Sequence, residues 1–350
     1  MRGGRVVGRG AHTAYGGPHA EVVAIHDAGP AAAGATAYVS LEPCTTHGKT
    51  PPCATALADA GVVRVVYAAT DPNPVHHGRA RAALRARGVA VRGPVEVEGA
   101  RTVLAPFRRA LRARRPWVLL KWASSLDGRV SPARGRGGVI SGAASMRFLH
   151  ELRAHVDAIA VGAGTVAVDD PRLTSRLPEG LPAGRRQPDA VLVDSALRVP
   201  ERARVLRTPG RRVFVLTARP PAAKARRLAA VEGVEVVVVP GRDGRVDLAR
   251  GLAVLRDRGV RRLLVEGGPR VAASLLAAGL VDQVAVVLAP LLLGGGDAPT
   301  ALAGAPFTDL ATAPRLRSPR TRRLGEDTVV EGYLAPARPR RVSARSGGRS

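Results

Sequence analysis

Short apolar runs rich in valine punctuate the chain: TAYVSL from residue 36, VVRVVYA from 62, WVLLKWA from 117, DAIAVG from 157, AVLVD from 190, RVFVLT from 212, VEVVVV from 234, RRLLVEGG from 261 and DQVAVVLAP from 282. Each has the length and branched-residue content of a strand covered on both faces. Stretches of helical character that close on glycine lie among the first of these runs: HAEVVAIHDAG from 19, PPCATALADAG from 51 and GRARAALRARG from 78. Prolines stand where the second should start, and Gly29 and Gly61 stand where two should stop. A short strand is expected at VAV from 89, and further helices over 142–155 and 269–278. Strands alternating with helices restrict the fold to α/β layers.

The alternation breaks once, at the basic stretch RRALRARRPW over 108–117. The chain therefore reads as a first domain over 1–110, a second over 116–334, and a basic tail, APARPRRVSARSGGRS, over 335–350. That tail has almost no apolar content and is expected to be disordered. A length of 350 residues suits two domains that each bury a core. No apolar run approaches the roughly 18 residues of a membrane span, and MRGGRVVGRG lacks the apolar core of a secretory signal. A cytoplasmic protein is expected.

The net charge of +26 would ordinarily suggest a polyanionic partner. Lysine, however, occurs only at 49, 121 and 224. The excess is arginine beside abundant alanine, glycine and proline, a pattern that GC-rich codon usage explains by itself. Aromatic residues make up 3% of the chain, too few for a base-stacking surface. Specific nucleic-acid binding is not expected.

Both cysteines, Cys44 and Cys53, lie in one polar loop, LEPCTTHGKTPPC over 41–53. They either form a disulfide, which a reducing cytoplasm disfavours, or share a ligand. His19 and Glu21 flank Ala20 at the start of the first helix, and the following strand delivers Pro43 and Cys44 to the same end of the sheet. Cys53 falls in the first turn of the next helix, where the dipole favours a thiolate. One imidazole and two thiolates leave the fourth position of a Zn²⁺ ion open to water, the arrangement of a catalytic site. Glu21 is then placed to carry a proton from that water to a leaving amine.

This H-A-E, strand, P-C and second Cys constellation resembles the zinc-dependent cytidine-deaminase superfamily. The long PCTTHGKTPPC spacing is similar to the deaminase domain of the bifunctional riboflavin-biosynthesis enzymes, which deaminate a phosphoribosylated diaminopyrimidinone and then reduce its ribose. DPNP over 71–74 matches too. The resemblance implies that His19, Cys44 and Cys53 bind zinc, that Glu21 is the proton shuttle, and that Lys49, Asp71 and Asn73 contact the substrate. Two departures stand out. Thr46 occupies a place where the family has histidine, with His47 one step later. The helix and P-N-P-x-V-G strand that open the family's domain have no counterpart here, and the natural protein is expected to begin upstream of Met1.

The second domain has no G-x-G-x-x-G after a predicted strand, so it lacks a Rossmann fingerprint. KWASSLDGRV over 121–130, VGAGTVAVDDPRLTSR over 161–176 and VEGGPRVAASLL over 265–276 instead put glycine, serine and charge after strands, where α/β sheets gather ligands. In this order and behind this first domain they resemble the reductase half of the same enzymes, which has a dihydrofolate-reductase-like α/β fold and uses NADPH. The resemblance implies a cofactor site at Thr165, Asp169, Ser195 and Gly268, Pro269, Arg270, Val271, Ala272, Ala273 and Ser274. It implies substrate contacts from Arg153, Leu173, Arg176 and Glu266, and an acid/base pair of Lys121 and Glu266. Lys121 interrupts an apolar strand in a chain that almost never uses lysine. Val139 replaces a family tryptophan, and Gly137 a serine.

The expected fold is a cytidine-deaminase-like α/β/α domain followed by a dihydrofolate-reductase-like domain, acting on a small phosphoribosyl pyrimidine, with association into a homo-oligomer left open. Two other readings compete: a reductase with an inactive first domain, and a nucleic-acid-binding module that keeps zinc for folding.

Overall fold

The computed structural model describes residues 1–12, 17–47, 51–95, 99–100, 104–105, 107–108, 114–304 and 307–334. Lys49 and the tail from 335 lie outside them. The chain divides into two compact units, one built mainly from Met1–Arg114 and the other from Arg115 onward, with Pro182–Arg185 grouped with the first.

In the first unit the order is α1 (Ala20–Ala28), β1 (Thr36–Leu41), α2 (Cys53–Asp59), β2 (Arg64–Ala69), α3 (Ala80–Arg85) and β3 (Ala90–Arg92). The strands form a parallel sheet in the order β1-β2-β3, with Thr36 opposite Arg64 and Arg64 opposite Ala90. Its core is small: Ala54 and Leu57 of α2, Ala80 and Leu84 of α3, and Val62, Val65 and Val89 around the strands. Gly29 ends α1 at φ 52°, and Gly61 follows α2 at φ 72°, backbone conformations that glycine adopts without a Cβ penalty. Pro52 is the N-cap of α2, so Cys53 takes the first helical position.

The second unit contains β4 (Trp117–Ser125), α4 (Ala143–Ala154), β5 (Ala158–Gly162), α5 (Ala163–Asp169), β6 (Asp189–Val193), β7 (Val213–Thr217), α6 (Ala222–Ala229) and β8 (Val234–Val238). It continues with α7 (Leu248–Asp257), β9 (Arg262–Val265), α8 (Pro269–Ala277), β10 (Gln283–Ala289), β11 (Leu316–Leu324) and β12 (Asp327–Leu334). These strands make one sheet in the order β11-β12-β10-β4-β9-β5-β6-β7-β8, parallel from β10 to β8. Alternate residues of a strand point to opposite faces, and the core splits accordingly. Leu119, Ile159, Val161, Val213 and Val215 join Phe148 and Leu149 of α4 and Leu228 of α6 on one face. Val118, Leu120, Ala160, Phe214 and Leu216 join Leu252 and Leu255 of α7 and Leu275 of α8 on the other. Lys121 shares the parity of Leu119, which turns it to the face that α4 covers.

β11 and β12 were not among the expected strands. β11 reads LRSPRTRRL, pairs antiparallel with β12 at the sheet edge, and shifts register between Arg317 and Arg320, where Pro319 sits. Arginines and a proline at a bulge blunt an edge against further pairing, and they erase the apolar alternation that would announce a strand. None of the described helices is long and apolar enough to cross a membrane.

Candidate active sites

In the first unit β1 and the helix starts of α1 and α2 bring His19, Cys44 and Cys53 together. His19 Nδ1 lies 3.1 Å from Cys53 Sγ and 3.5 Å from Cys44 Sγ, and the Cys53 amide donates to Cys44 Sγ at 3.2 Å. All the ligand atoms fall within 4.8 Å of one another, and both cysteines are free and buried. Tetrahedral zinc bonds of about 2.0 Å to nitrogen and 2.3 Å to sulfur put N and S about 3.5 Å apart, so the donor set fits the ion. The hydrogen bonds that Cys53 donates hold the Cys44 thiol down to about 5, while the same bond and burial push Cys53 up. Glu21 hydrogen-bonds Cys53, and burial raises its pKa above the usual carboxylate range.

Around this cluster stands the segment after β2. Asp71 is buried beside Cys44, and burial, then the Glu42 and Cys44 charges, raise its pKa against the hydrogen bond from the Asn73 amide. Asp71 Oδ1 accepts that amide at 2.8 Å, and Asn73 Oδ1 accepts the Val75 amide at 3.1 Å. Thr46 Oγ1 meets His76 Nδ1 at 3.4 Å, so a histidine from this segment, rather than position 46 itself, brings an imidazole there. His12 stands edge-on to His19 with ring centroids 5.4 Å apart. Neither His76 nor His12 was singled out from the sequence, although His12 precedes His19 by a few residues.

In the second unit Lys121 is 6% exposed and Glu266 follows β9 directly, next in register after the Leu120 and Val265 pair. Burial depresses the Lys121 pKa first of all; the charges of Glu266 and Asp327 raise it and that of Arg153 lowers it. Arg153, on α4, forks onto Glu266: Nε donates to Oε1 at 2.6 Å, Nη2 donates to Oε2, and Nη1 donates to the Thr174 carbonyl at 3.0 Å. Three of its five N–H donors are thus engaged within the protein, orienting Glu266. Arg176 is exposed, and its amide donates to His150 Nδ1 at 3.2 Å. Burial, then the neighbouring arginines, lowers the His150 pKa.

Leu173 is 2% exposed with its side chain in the core and a φ of 54°, and its carbonyl accepts from Arg211 at 2.6 Å. Arg211 also donates to the carbonyls of Arg172 and Val205, and burial pulls its pKa down to about 10. This buried cation shapes the loop that carries Leu173 and Arg176.

At the strand ends, the loops after β5 and β9 touch backbone to backbone. A Cβ on Gly268 (φ 85°) would meet Gly162 N at 3.2 Å, and one on Gly267 would meet Thr165 Oγ1 at 3.2 Å. Gly162 and Gly268 are the N-caps of α5 and α8 and supply no side-chain cap, leaving the first-turn amides of both helices for a ligand. The segment Gly268, Pro269, Arg270, Val271, Ala272, Ala273 and Ser274 runs from that cap into α8, which suits a phosphate-bearing cofactor. Asp169 ends α5 directly against Gly137: a Cβ there would lie 2.1 Å from Asp169 Oδ1, so a serine would displace the carboxylate. Val139 is 70% exposed. Ser195 follows β6; its carbonyl accepts the Ala218 and Arg219 amides at 3.0 and 2.9 Å, and its Oγ accepts the Val246 amide at 3.1 Å.

A zinc-hydrolase unit of the deaminase kind, followed by a parallel-sheet unit with a buried lysine and carboxylate at its strand ends, defines a two-activity enzyme. Comparison with known proteins gives the family. The cytidine and deoxycytidylate deaminase zinc-binding region matches residues 1–69, and the RibD C-terminal domain matches residues 116–330. The riboflavin biosynthesis protein RibD of Aquifex aeolicus is 37% identical over 330 residues, covering 94% of this chain and 89% of that protein. Among solved structures, Acinetobacter baumannii RibD superposes with a TM-score of 0.78 at 33% identity, covering 96% of this chain and 90% of that one. A Thermotoga maritima diaminohydroxyphosphoribosylaminopyrimidine deaminase/5-amino-6-(5-phosphoribosylamino)uracil reductase gives 0.74 at 30% identity, with the same coverage. The chain belongs to the RibD family, the bifunctional riboflavin-biosynthesis enzymes that join a zinc-dependent deaminase to an NADPH-dependent reductase.

Proposed function

We propose that the first unit deaminates the phosphoribosylaminopyrimidine ring with His19, Cys44 and Cys53 as zinc ligands and Glu21 as the proton carrier. The observation that carries this reading is the meeting of an imidazole and two free sulfurs within one cluster, with the part-buried Glu21 carboxylate beside it. Zinc, when bound, lowers the pKa of a water to about 7. Glu21 takes a proton from that water and returns it to the amine, which leaves as ammonia while the water oxygen stays on the ring carbon. Burial, which raises its pKa, favours its return of the proton to the amine. Asp71 and Asn73 hold the pyrimidine, and Lys49 offers a cation for the phosphate.

The second unit, in this reading, opens the ribose of the deaminated product with Lys121 and Glu266 as the acid/base pair. Arg153 keeps Glu266 aimed through its fork, and Arg176, an exposed residue with a guanidinium nitrogen 3.5 Å from His150 Nε2, is the arginine that meets the phosphate. NADPH, when bound, supplies the hydride to the opened sugar carbon. Thr165, Asp169, Ser195 and the segment 268–274 hold it, its phosphates seated on the uncapped amides of α5 and α8. The reading places the enzyme in the cytoplasm, where the thiols stay reduced.

The test uses the full zinc-loaded chain with the diaminopyrimidine substrate. Ammonia should be released without NADPH, and adding NADPH should then lead to its oxidation. Oxidation seen only when the deaminated compound is supplied, with no ammonia released from the unreacted one, would leave the reductase as the sole activity.

A further inference from the structure

Glu42, between the last residue of β1 and the ligand Cys44, is 2% exposed. No cation pairs with it among the described ion pairs. Its carboxylate instead accepts three backbone amides: Asp71 at 3.1 Å and Gly78 at 2.9 Å on Oε2, and Ala80 at 2.9 Å on Oε1. These donors span both ends of the segment 71–80, from the DPNP turn to the first turn of α3. The Glu42 amide donates to the Ala69 carbonyl at 2.8 Å, the last link between β1 and β2, so the carboxylate springs from a fixed point.

Apart from Ala80, which sits in the core, the segment has little apolar burial to hold it. Val75 is 51% exposed, and the remaining bonds of the turn are internal: Asn73 and Val75 amides to Asp71 and Asn73 side chains, His76 and His77 amides to the Asn73 carbonyl, and His77 Nδ1 to the Asp71 carbonyl. Internal bonds fix a turn's shape but not its place. The contacts that fix its place against the cysteine loop are the amides on Glu42, with Thr46 against His76. A carboxylate that accepts several amides is a stiff anchor, and removing it strands buried donors.

We propose that Glu42 is a positioning residue for deamination: it sets the segment carrying Asp71 and Asn73 in register with the zinc ligands, so that one tripeptide, Glu42-Pro43-Cys44, fixes both metal and substrate loop. The inference rests on the reading of Asp71 and Asn73 as substrate contacts. It is tested in the zinc-loaded full chain with Glu42→Gln, Glu42→Ala, Asn73→Ala and the double variant Glu42→Ala/Asn73→Ala. Glu42→Ala should raise the KM for deamination and lower kcat/KM by up to about 10²-fold, with zinc content and reduction of the supplied aminouracil unchanged. Glu42→Gln, which keeps shape and one acceptor oxygen, should recover part of the loss and remains readable if the alanine variant fails to fold. The double variant should lose less than the sum of the single losses in free energy.

Unchanged deamination in both Glu42 variants, or zinc loss as large as in a cysteine variant, overturns the inference. Should Asn73→Ala leave deamination unchanged, the substrate-contact reading fails first. Should Asn73→Ala be damaging and Glu42→Ala harmless, only the role of Glu42 fails.

Discussion

The two sites differ in how far the chain must reach to build them and in whether their groups pair with one another. His19 and Cys53 are 34 residues apart and meet through one helix-strand-helix passage, whereas Arg153 and Glu266 are 113 residues apart and meet through the order of a nine-stranded sheet. In the first unit the imidazole of His19 and the free sulfurs of Cys44 and Cys53 stand within 4.8 Å of one another. In the second, Glu266 is already paired with Arg153 in a buried fork. One site gathers donor atoms that suit a cation; the other gathers charges that pair with each other.

That contrast predicts different sensitivities. The largest effect belongs to Cys44→Ser: the protein should lose its zinc, since two remaining ligands hold the ion poorly, and deamination should fall below detection while reduction persists. Metal analysis beside both assays reads this, and retention of zinc would show that the cluster is not organised by the metal. A smaller effect is expected from Glu21→Gln, which should keep zinc and slow deamination by at least about 10²-fold. A variant that also lost zinc would make Glu21 part of metal retention rather than proton transfer.

The smallest effect sharpens the account of the second site. Asp327 is 2% exposed, accepts the Gly142 amide at 2.8 Å, and its charge raises the Lys121 pKa. Asp327→Asn keeps an acceptor for that amide but removes the charge, so the Lys121 pKa should fall further. The limb of the reduction pH profile that follows Lys121 should therefore move to lower pH, by up to about one unit. A move to higher pH would mean that the limb reports another group.

Legibility in the sequence follows the same division. The strands from 36 to 289 and the His19, Cys44 and Cys53 set are local patterns, and a proline-flanked cysteine after a strand carries its own explanation. Lys121 was visible as a lysine inside an apolar run. What escaped depended on distant contacts. Glu42 looked like any acid at a strand end, because the amides it holds lie 29 to 38 residues on. Asp327 opens a strand in a hairpin whose arginine-rich partner hides the strand signal. Arg153 was expected as a substrate contact, and nothing near it in sequence foretells its bonds to Glu266 and Thr174. Arg211 had no signal at all in a chain with so many arginines.

The placement of both cysteines in one loop has a practical consequence. With no other thiol in the chain, every sulfhydryl-directed label, from a spin probe to a fluorophore, addresses this one cluster. Its rate of attachment becomes a direct reading of metal occupancy in the deaminase unit, with no background from the reductase unit and without any residue having to be engineered away.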